Sequence, residues 1–274
     1  MTINYRLDDT TLTATYRDHL LFRYVYQPDM PREHAPRPFF HPINALNGEL
    51  LTDAQPADHA WHYGLSYAIP YVNGVNFWGG GTYVHGQGYV NRVDHGRVEH
   101  VGWESEWVEH LHWRCIENEV WIAETRSITA EVIDDTLWSL ELGFSLHNLL
   151  PEPIEFSSPA LKGRAGAGYG GLFWRGTPTM RDWIARTDGM EGETAVHGSE
   201  SAWFMLDDPH TGTRIVLRDH PTNPYYPTRW FLRQQEYPGV CIPLAYAAPF
   251  LLGSRETLNL TYSIVITAPT GDPL

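Results

Sequence analysis

Hydrophobic and polar residues alternate along most of this chain with a period of two, the spacing that sends successive side chains to opposite faces of a β-strand. Residues 3–26 set Leu12, Ala14 and Tyr16 against Thr11, Thr13 and Thr15, then run on as LLFRYVYQ. From residue 97 onward the pattern is almost unbroken, and 99–107, 108–116, 120–132 and 138–148 each predict a strand. Asn118-Glu119 and Asp134-Asp135 supply turns between neighbours, so this part predicts an antiparallel meander. Further strands are predicted over 202–206, 214–218 and 258–266. Asn47-Gly48 and Asn73-Gly74 are hairpin-turn pairs, the second joining SYAIPYV to VNFWG. No helical stretch separates the strands, as a βαβ unit requires. The most helix-like piece is MRDWIAR, two turns at best. The expected fold is mostly β with little helix: a single-domain antiparallel β-sandwich over 1–274.

Three segments break the alternation. Residues 28–38 hold four prolines, which forbid regular structure and predict a loop. The stretch LLPEPIEFSSPALKGRAGAGYGGLFWRG is rich in Pro and Gly and too long for a hairpin. Its GxGxxG-like pattern follows no βαβ unit and opens no helix, so it predicts no dinucleotide site. It reads instead as a flexible segment presenting Arg164 and Arg175 to a ligand. The third, 219–227, is a Pro-rich loop after a strand; it is placed either to hold His220 for catalysis or to close a turn capped by Asp219 and Asn223.

Composition narrows the classes of partner. The formal charge of −14 disfavours nucleic acid and anionic membrane, and no apolar run approaches a bilayer span. That charge fits a neutral or cationic small substrate, or a locally basic pocket on an acidic body, and no cofactor is expected. Cys115 and Cys241 are the two cysteines, too few for a disulfide framework, and the first residues lack a signal-peptide pattern. A cytoplasmic location is therefore expected. The chain has 14 His, 11 Trp and 15 Tyr, side chains that move protons and stack on sugar rings.

The richest chemistry lies in 37–91, where Arg37, His41, Asp58, His59, His62 and His85 stand among Trp61, Phe77, Trp78, Tyr83 and the Gly79-Gly80-Gly81 run. This stretch is expected to form an active-site floor, with His59 and His62 as proton-transfer groups. His59-x-x-His62 also admits a metal reading, completed by His41 or Glu124. On 120–132 the row Val120, Ile122, Glu124, Arg126, Ile128, Ala130 and Val132 embeds two charged residues among apolar ones. Either they form a structural ion pair, or the row faces a cleft and Glu124 works there. His110-x-His112 before Glu117 suggests a cupin metal motif, but the preceding spacing is off and no second half follows. No GxSxG elbow is present.

The segments RPFFHPINALNGELLT, PADHAWHYGLSYA, VNGVNFWGG, IAETRSITA, KGRAGAGYGGLFWR, DHPTNPYYPTRWFLR and LNLTYSIVI resemble the bacterial family labelled "methane oxygenase PmoA", over about residues 10–270. The resemblance implies an architecture similar to the galactose-mutarotase β-supersandwich, with His and a carboxylate around a sugar on one sheet face. It also implies recurring positions at Arg37, His41, His59, His62, Glu124, Arg126, Arg164, Arg175, His220 and Asn223. The function expected from these readings is acid–base catalysis on a sugar or oxidised (keto) glycoside, of mutarotase/epimerase, lyase or hydrolase type. His59, His62, Glu124 and His220 would move protons. Arg37, His41, Trp61, Trp78, Arg126, Arg164, Arg175 and Asn223 would hold the substrate, a small-molecule carbohydrate. The alternatives are a metal-dependent enzyme built on His59 and His62, and a non-catalytic carbohydrate-binding protein.

Overall fold

The computed structural model describes residues 1–269. The alternating segments pair into two large antiparallel sheets packed face to face. Sheet one has eight strands in the order Asn4–Leu7, Thr11–Tyr16, His19–Val25, Phe39–Ile43, Leu65–Ala68, Gly171–Arg175, Gly239–Ile242 and Phe231–Arg233. Sheet two has nine: Met190–Glu191, Ile184–Thr187, Trp203–Asp207, Arg214–Asp219, Thr257–Thr267, Leu137–Asn148, Val120–Val132, Val108–Arg114 and Arg97–Ser105. The fold is a mostly-β antiparallel sandwich, as the alternation predicts. No helix among the described residues is long and apolar enough to cross a membrane.

The facing rows form one apolar core. Ile122, Ile128, Trp138, Leu140, Leu142, Phe144, Ile264 and Ile266 of sheet two meet Leu12, Phe22, Leu65, Leu172, Trp174 and Val240 of sheet one. Ring contacts such as Phe22–Trp138 and Tyr67–Phe144 cross the gap between the sheets. Sheet one is covered on its second face as well. Along Gly171–Arg175, Leu172 and Trp174 enter the main core, while Phe173 joins a separate cluster with Ala68, Trp78, Ala167, Tyr169, Phe231 and Cys241. Loops cross that outer face, and a cavity lies among them.

The charged pair within the apolar row belongs to the interior. Glu124 and Arg126 are each 2% exposed and lie between the sheets. Arg126 Nε donates to Glu124 Oε1 at 2.7 Å, Trp113 Nε1 donates to Oε2 at 2.6 Å, and Arg126 Nη1 donates to Tyr24 Oη at 2.9 Å. Tyr24 in turn donates to Glu109, whose other oxygen meets His100 Nδ1 at 2.7 Å. Burial alone would lower the Arg126 pKa, but Glu124, Tyr24 and Glu109 together raise it, so the guanidinium stays charged. The ion-pair reading of this row holds, and the cleft reading of Glu124 and Arg126 is corrected.

Two expectations for local structure are also corrected. MRDWIAR is a short 3₁₀ turn, Pro178–Arg181, running into the strand Ile184–Thr187. The glycine-rich stretch ends in the strand Gly171–Arg175, buried throughout, which fixes Arg175 rigidly in place of a flexible presentation.

Candidate functional site

A cavity of about 790 Å³ opens on the outer face of sheet one. That volume lies within the range of about 300–1,000 Å³ usual for small-ligand sites. His59, Trp61, His62, Trp78, Tyr89, Tyr169, Phe231 and Tyr237 supply rings to its wall, and Glu33, Arg92, Arg164, Arg233 and Glu236 supply charge.

The two histidines are brought together by the backbone. His59 N–H bonds to Pro56 O at 3.1 Å and His62 N–H bonds to His59 O at 2.9 Å, so the segment coils through two successive three-residue turns. Their rings stack with centroids 4.6 Å apart and planes 14° from parallel. This loop gives the side-by-side placement of two rings three residues apart that a helix would give.

Behind them stands an ion pair. Arg175 Nη2 donates to both Asp58 oxygens, at 3.0 and 3.1 Å, and Asp58 Oδ2 lies 3.1 Å from His59 Nδ1. Burial pushes the Asp58 carboxyl up, but its bonds to His59 and Arg175 outweigh this and hold it below the usual value. Its negative charge therefore orients His59 with the proton on Nδ1, leaving Nε2 as the basic nitrogen. Arg175 Nη1 approaches His62 Nδ1 at 3.4 Å. As guanidinium has only donors, this assigns Nδ1 of His62 as acceptor and puts its proton on Nε2. His62 is 1% exposed, and its pKa is held well below the ordinary value first by burial, then by His59, Arg175 and Arg37. Neutral His62 thus offers a hydrogen-bond donor, Nε2–H, beside the open Nε2 acceptor of His59.

Arg37 braces this arrangement from behind the cavity. Its guanidinium donates to the carbonyls of His34, Ala35 and Trp61 at 2.9, 3.1 and 3.1 Å, and to Ser66 Oγ at 3.3 Å. Burial lowers its pKa to about 10, so it stays charged at neutral pH. The glycine run fits under Trp61: a Cβ on Gly80 would stand 2.5 Å from the indole, and its φ of +66° is already left-handed. Gly80→Ala is expected to lose about 1–2 kcal/mol from the backbone conformation alone. Displacement of Trp61 adds to that, and urea denaturation reads the sum.

The sequence-predicted residues divide cleanly. His59, Trp61, His62, Trp78 and Arg164 line the cavity; Arg37 and Arg175 are buried behind it and touch only lining or neighbouring residues, so their assignment to substrate binding is corrected. Glu124, Arg126, His41, His220 and Asn223 do not line it. His41 bonds Thr52 Oγ1 at 3.0 Å. His220 is exposed on its turn and bonds Thr222 Oγ1, while Asn223 is tied to Asp219 and to Thr261 O. The turn reading of that loop holds, and the assignments of His220 to proton transfer and of His41 and Asn223 to substrate binding are corrected. Tyr169, Arg233 and Tyr237 lie outside the expected 37–91 floor, in loops or at a strand end without periodic signal, and Tyr89 lies inside it on the three-residue strand Gly88–Val90. Among the described residues no three His, Cys, Asp or Glu side chains converge as metal donors.

A family model described as "Family of unknown function (DUF6807)" matches residues 11–272. That description names no activity, and the oxygenase label of the resemblance has no counterpart in it. No curated protein matches the chain. Among solved structures, a polysaccharide lyase is 12% identical over 98% of this chain and 32% of its own, with a TM-score of 0.38. The Slr1438 protein from Synechocystis sp. PCC 6803 is 9% identical over 98% of this chain and 96% of its own, at 0.42. A glycoside hydrolase family 97 enzyme from Pseudoalteromonas sp. strain K8 is 9% identical over 96% of this chain and 33% of its own, at 0.31. The chain spans about a third of the lyase and of the hydrolase.

Proposed function

The chain belongs to the family of unknown function DUF6807, and from its cavity we propose a carbohydrate-active enzyme that moves protons with the His59–His62 pair. The observation that carries this reading is the array Arg175–Asp58–His59 stacked on a buried, neutral His62 at the wall of an aromatic cavity. Trp61, Trp78 and Tyr237 offer flat apolar faces to the C–H face of a sugar ring. Two imidazoles, one oriented as a base and one as a neutral donor, suit proton abstraction next to a carbonyl.

On an oxidised (keto) glycoside the chemistry runs as follows. His59 Nε2 takes the proton from the carbon next to the carbonyl, and that C–H electron pair moves onto the carbonyl oxygen. His62 Nε2–H donates a hydrogen bond to the developing enolate. Collapse of the enolate restores the carbonyl, forms a carbon–carbon double bond and breaks the bond to the glycosidic oxygen, which receives the proton held on His59. Return of the proton to the opposite face of the same carbon would instead give epimerisation. Neither route consumes an oxidant or reductant.

The test is incubation with a panel of 3-keto-glycosides and aldoses in deuterated water, followed by NMR. Loss of the proton signal next to the carbonyl, with or without release of the aglycone, is expected with wild-type protein and not with His59→Ala. Full retention of that proton across the panel would overturn the reading.

A further inference from the structure

We infer that the saccharide held in this cavity carries a fixed negative charge, which Arg164 receives at the rim. This deepens the sugar reading above and rests on it. The overall charge of −14 makes an anionic ligand unfavourable anywhere that lacks local positive charge. Three arginines line the cavity, and two of them are already engaged. Arg92 faces Asp94 at 3.6 Å. Arg233 donates to Leu232 O at 2.9 Å and Gly166 O at 3.4 Å, and has Glu236 at 3.9 Å.

Arg164 differs from both. It has no carboxylate partner among the described residues, and its one side-chain bond is from Nη1 to Tyr89 Oη at 2.7 Å. The remaining donors of its planar fork are free for an anion, the geometry that suits a carboxylate or phosphate. Its place is fixed. The guanidinium carbon lies 4.9 Å above the Tyr89 ring, and Tyr89 Oη meets Tyr169 Oη at 3.1 Å. The backbone is closed on both sides, Arg164 N–H to Pro159 O at 2.9 Å and Ala167 N–H to Arg164 O at 3.1 Å.

A contact path leads from this cation to the histidines. Tyr169 packs on Trp78 at 4.7 Å between centroids, and Trp78 meets His62 at 5.7 Å. Tyr89, Tyr169 and Trp78 therefore intervene between Arg164 and His62, so the charge is a recognition handle away from the reacting carbon. A uronate carboxylate and a sugar phosphate share this chemistry, and separate ligands distinguish them.

Calorimetric titration of wild-type protein, Arg164→Gln and Arg164→Lys tests the inference. The probes are pectin- and alginate-derived oligouronides, the same oligosaccharides after carboxyl reduction, and glucose 6-phosphate. Binding of a charged probe that weakens with added salt is expected, with a reduced or uncharged counterpart binding at least about tenfold more weakly. Arg164→Gln is expected to weaken the charged probe by about 10- to 100-fold, with Arg164→Lys recovering part of the loss and both variants melting like wild type. Equal binding of charged and reduced probes, or no effect of Arg164→Gln, overturns the anionic assignment and leaves the sugar reading standing. Failure of every charged probe to bind also overturns the anionic assignment, while the sugar reading stands or falls separately on the proton-exchange experiment above.

Discussion

Glu124→Ala is expected to cost about 3–5 kcal/mol of unfolding free energy, the effect of removing one partner from a buried ion pair. The substitution strands Arg126, 2% exposed, with Tyr24 as its remaining side-chain partner across the sheet gap, and leaves the Trp113 indole N–H without its acceptor. Buried donors without acceptors carry their full desolvation penalty. Glu124→Gln keeps an acceptor for Trp113 and removes the charge, so an intermediate loss is expected. Urea denaturation of the two variants beside wild type measures both. Placement of Glu124 between the sheets adds a second expectation: folded Glu124→Gln binds sugar as wild type does. A large loss of affinity with little loss of stability would return Glu124 to the cavity.

That residue also shows where the sequence stops speaking. Period-two alternation put Glu124 and Arg126 on the same face as Ile122 and Ile128, and the structure agrees. Alternation assigns a face without saying what covers it. In sheet two the buried face meets sheet one, whereas sheet one is buried on both sides, against sheet two and under its own loops. Its strand Gly171–Arg175 thus reads as an apolar run ending in one arginine after a glycine loop, and the division of Leu172 and Trp174 from Phe173 has no polar contrast to reveal it.

The candidate site was legible where one short segment supplies it. His59, Trp61 and His62 lie within four residues, and Trp78 with the glycines follows soon after. Asp58, which orients His59, is its neighbour in the chain, but other groups packed on the pair come from far along it: Arg175 from a different strand and Tyr237 from the turn before Gly239–Ile242. No spacing in the sequence encodes such contacts. His220 and Asn223 were misassigned for a related reason, since a proline-rich loop carrying His and Asn looks alike whether it serves a ligand or, as here, caps its own turn through Asp219.

His62→Gln is expected to reduce turnover of the keto-glycoside by about 10²–10³-fold, the usual cost of losing a positioned hydrogen-bond donor to a developing oxyanion. A passive ring in the cavity wall would show little loss. The buried, neutral state of His62 also makes a separable prediction about stability. Its folded pKa is depressed well below the ordinary value, so between that value and about 6.5 the unfolded chain binds a proton that the folded protein refuses. Stability is therefore fully present above about pH 6.5 and falls as the pH drops, by up to about 1.4 kcal/mol per pH unit for this one group. His34, His41, His112 and His197 are also lowered by burial and make the same sign of contribution in both proteins. The difference in unfolding free energy between wild type and His62→Gln isolates the single imidazole. That difference is expected to move in favour of the variant as the pH is lowered from 7 to 5 in urea titrations. If it stays constant, His62 takes up its proton in the folded state as readily as in the unfolded one. The neutral donor assigned to the enolate would then be a cation in that pH range, and the division of labour between His59 and His62 would reverse.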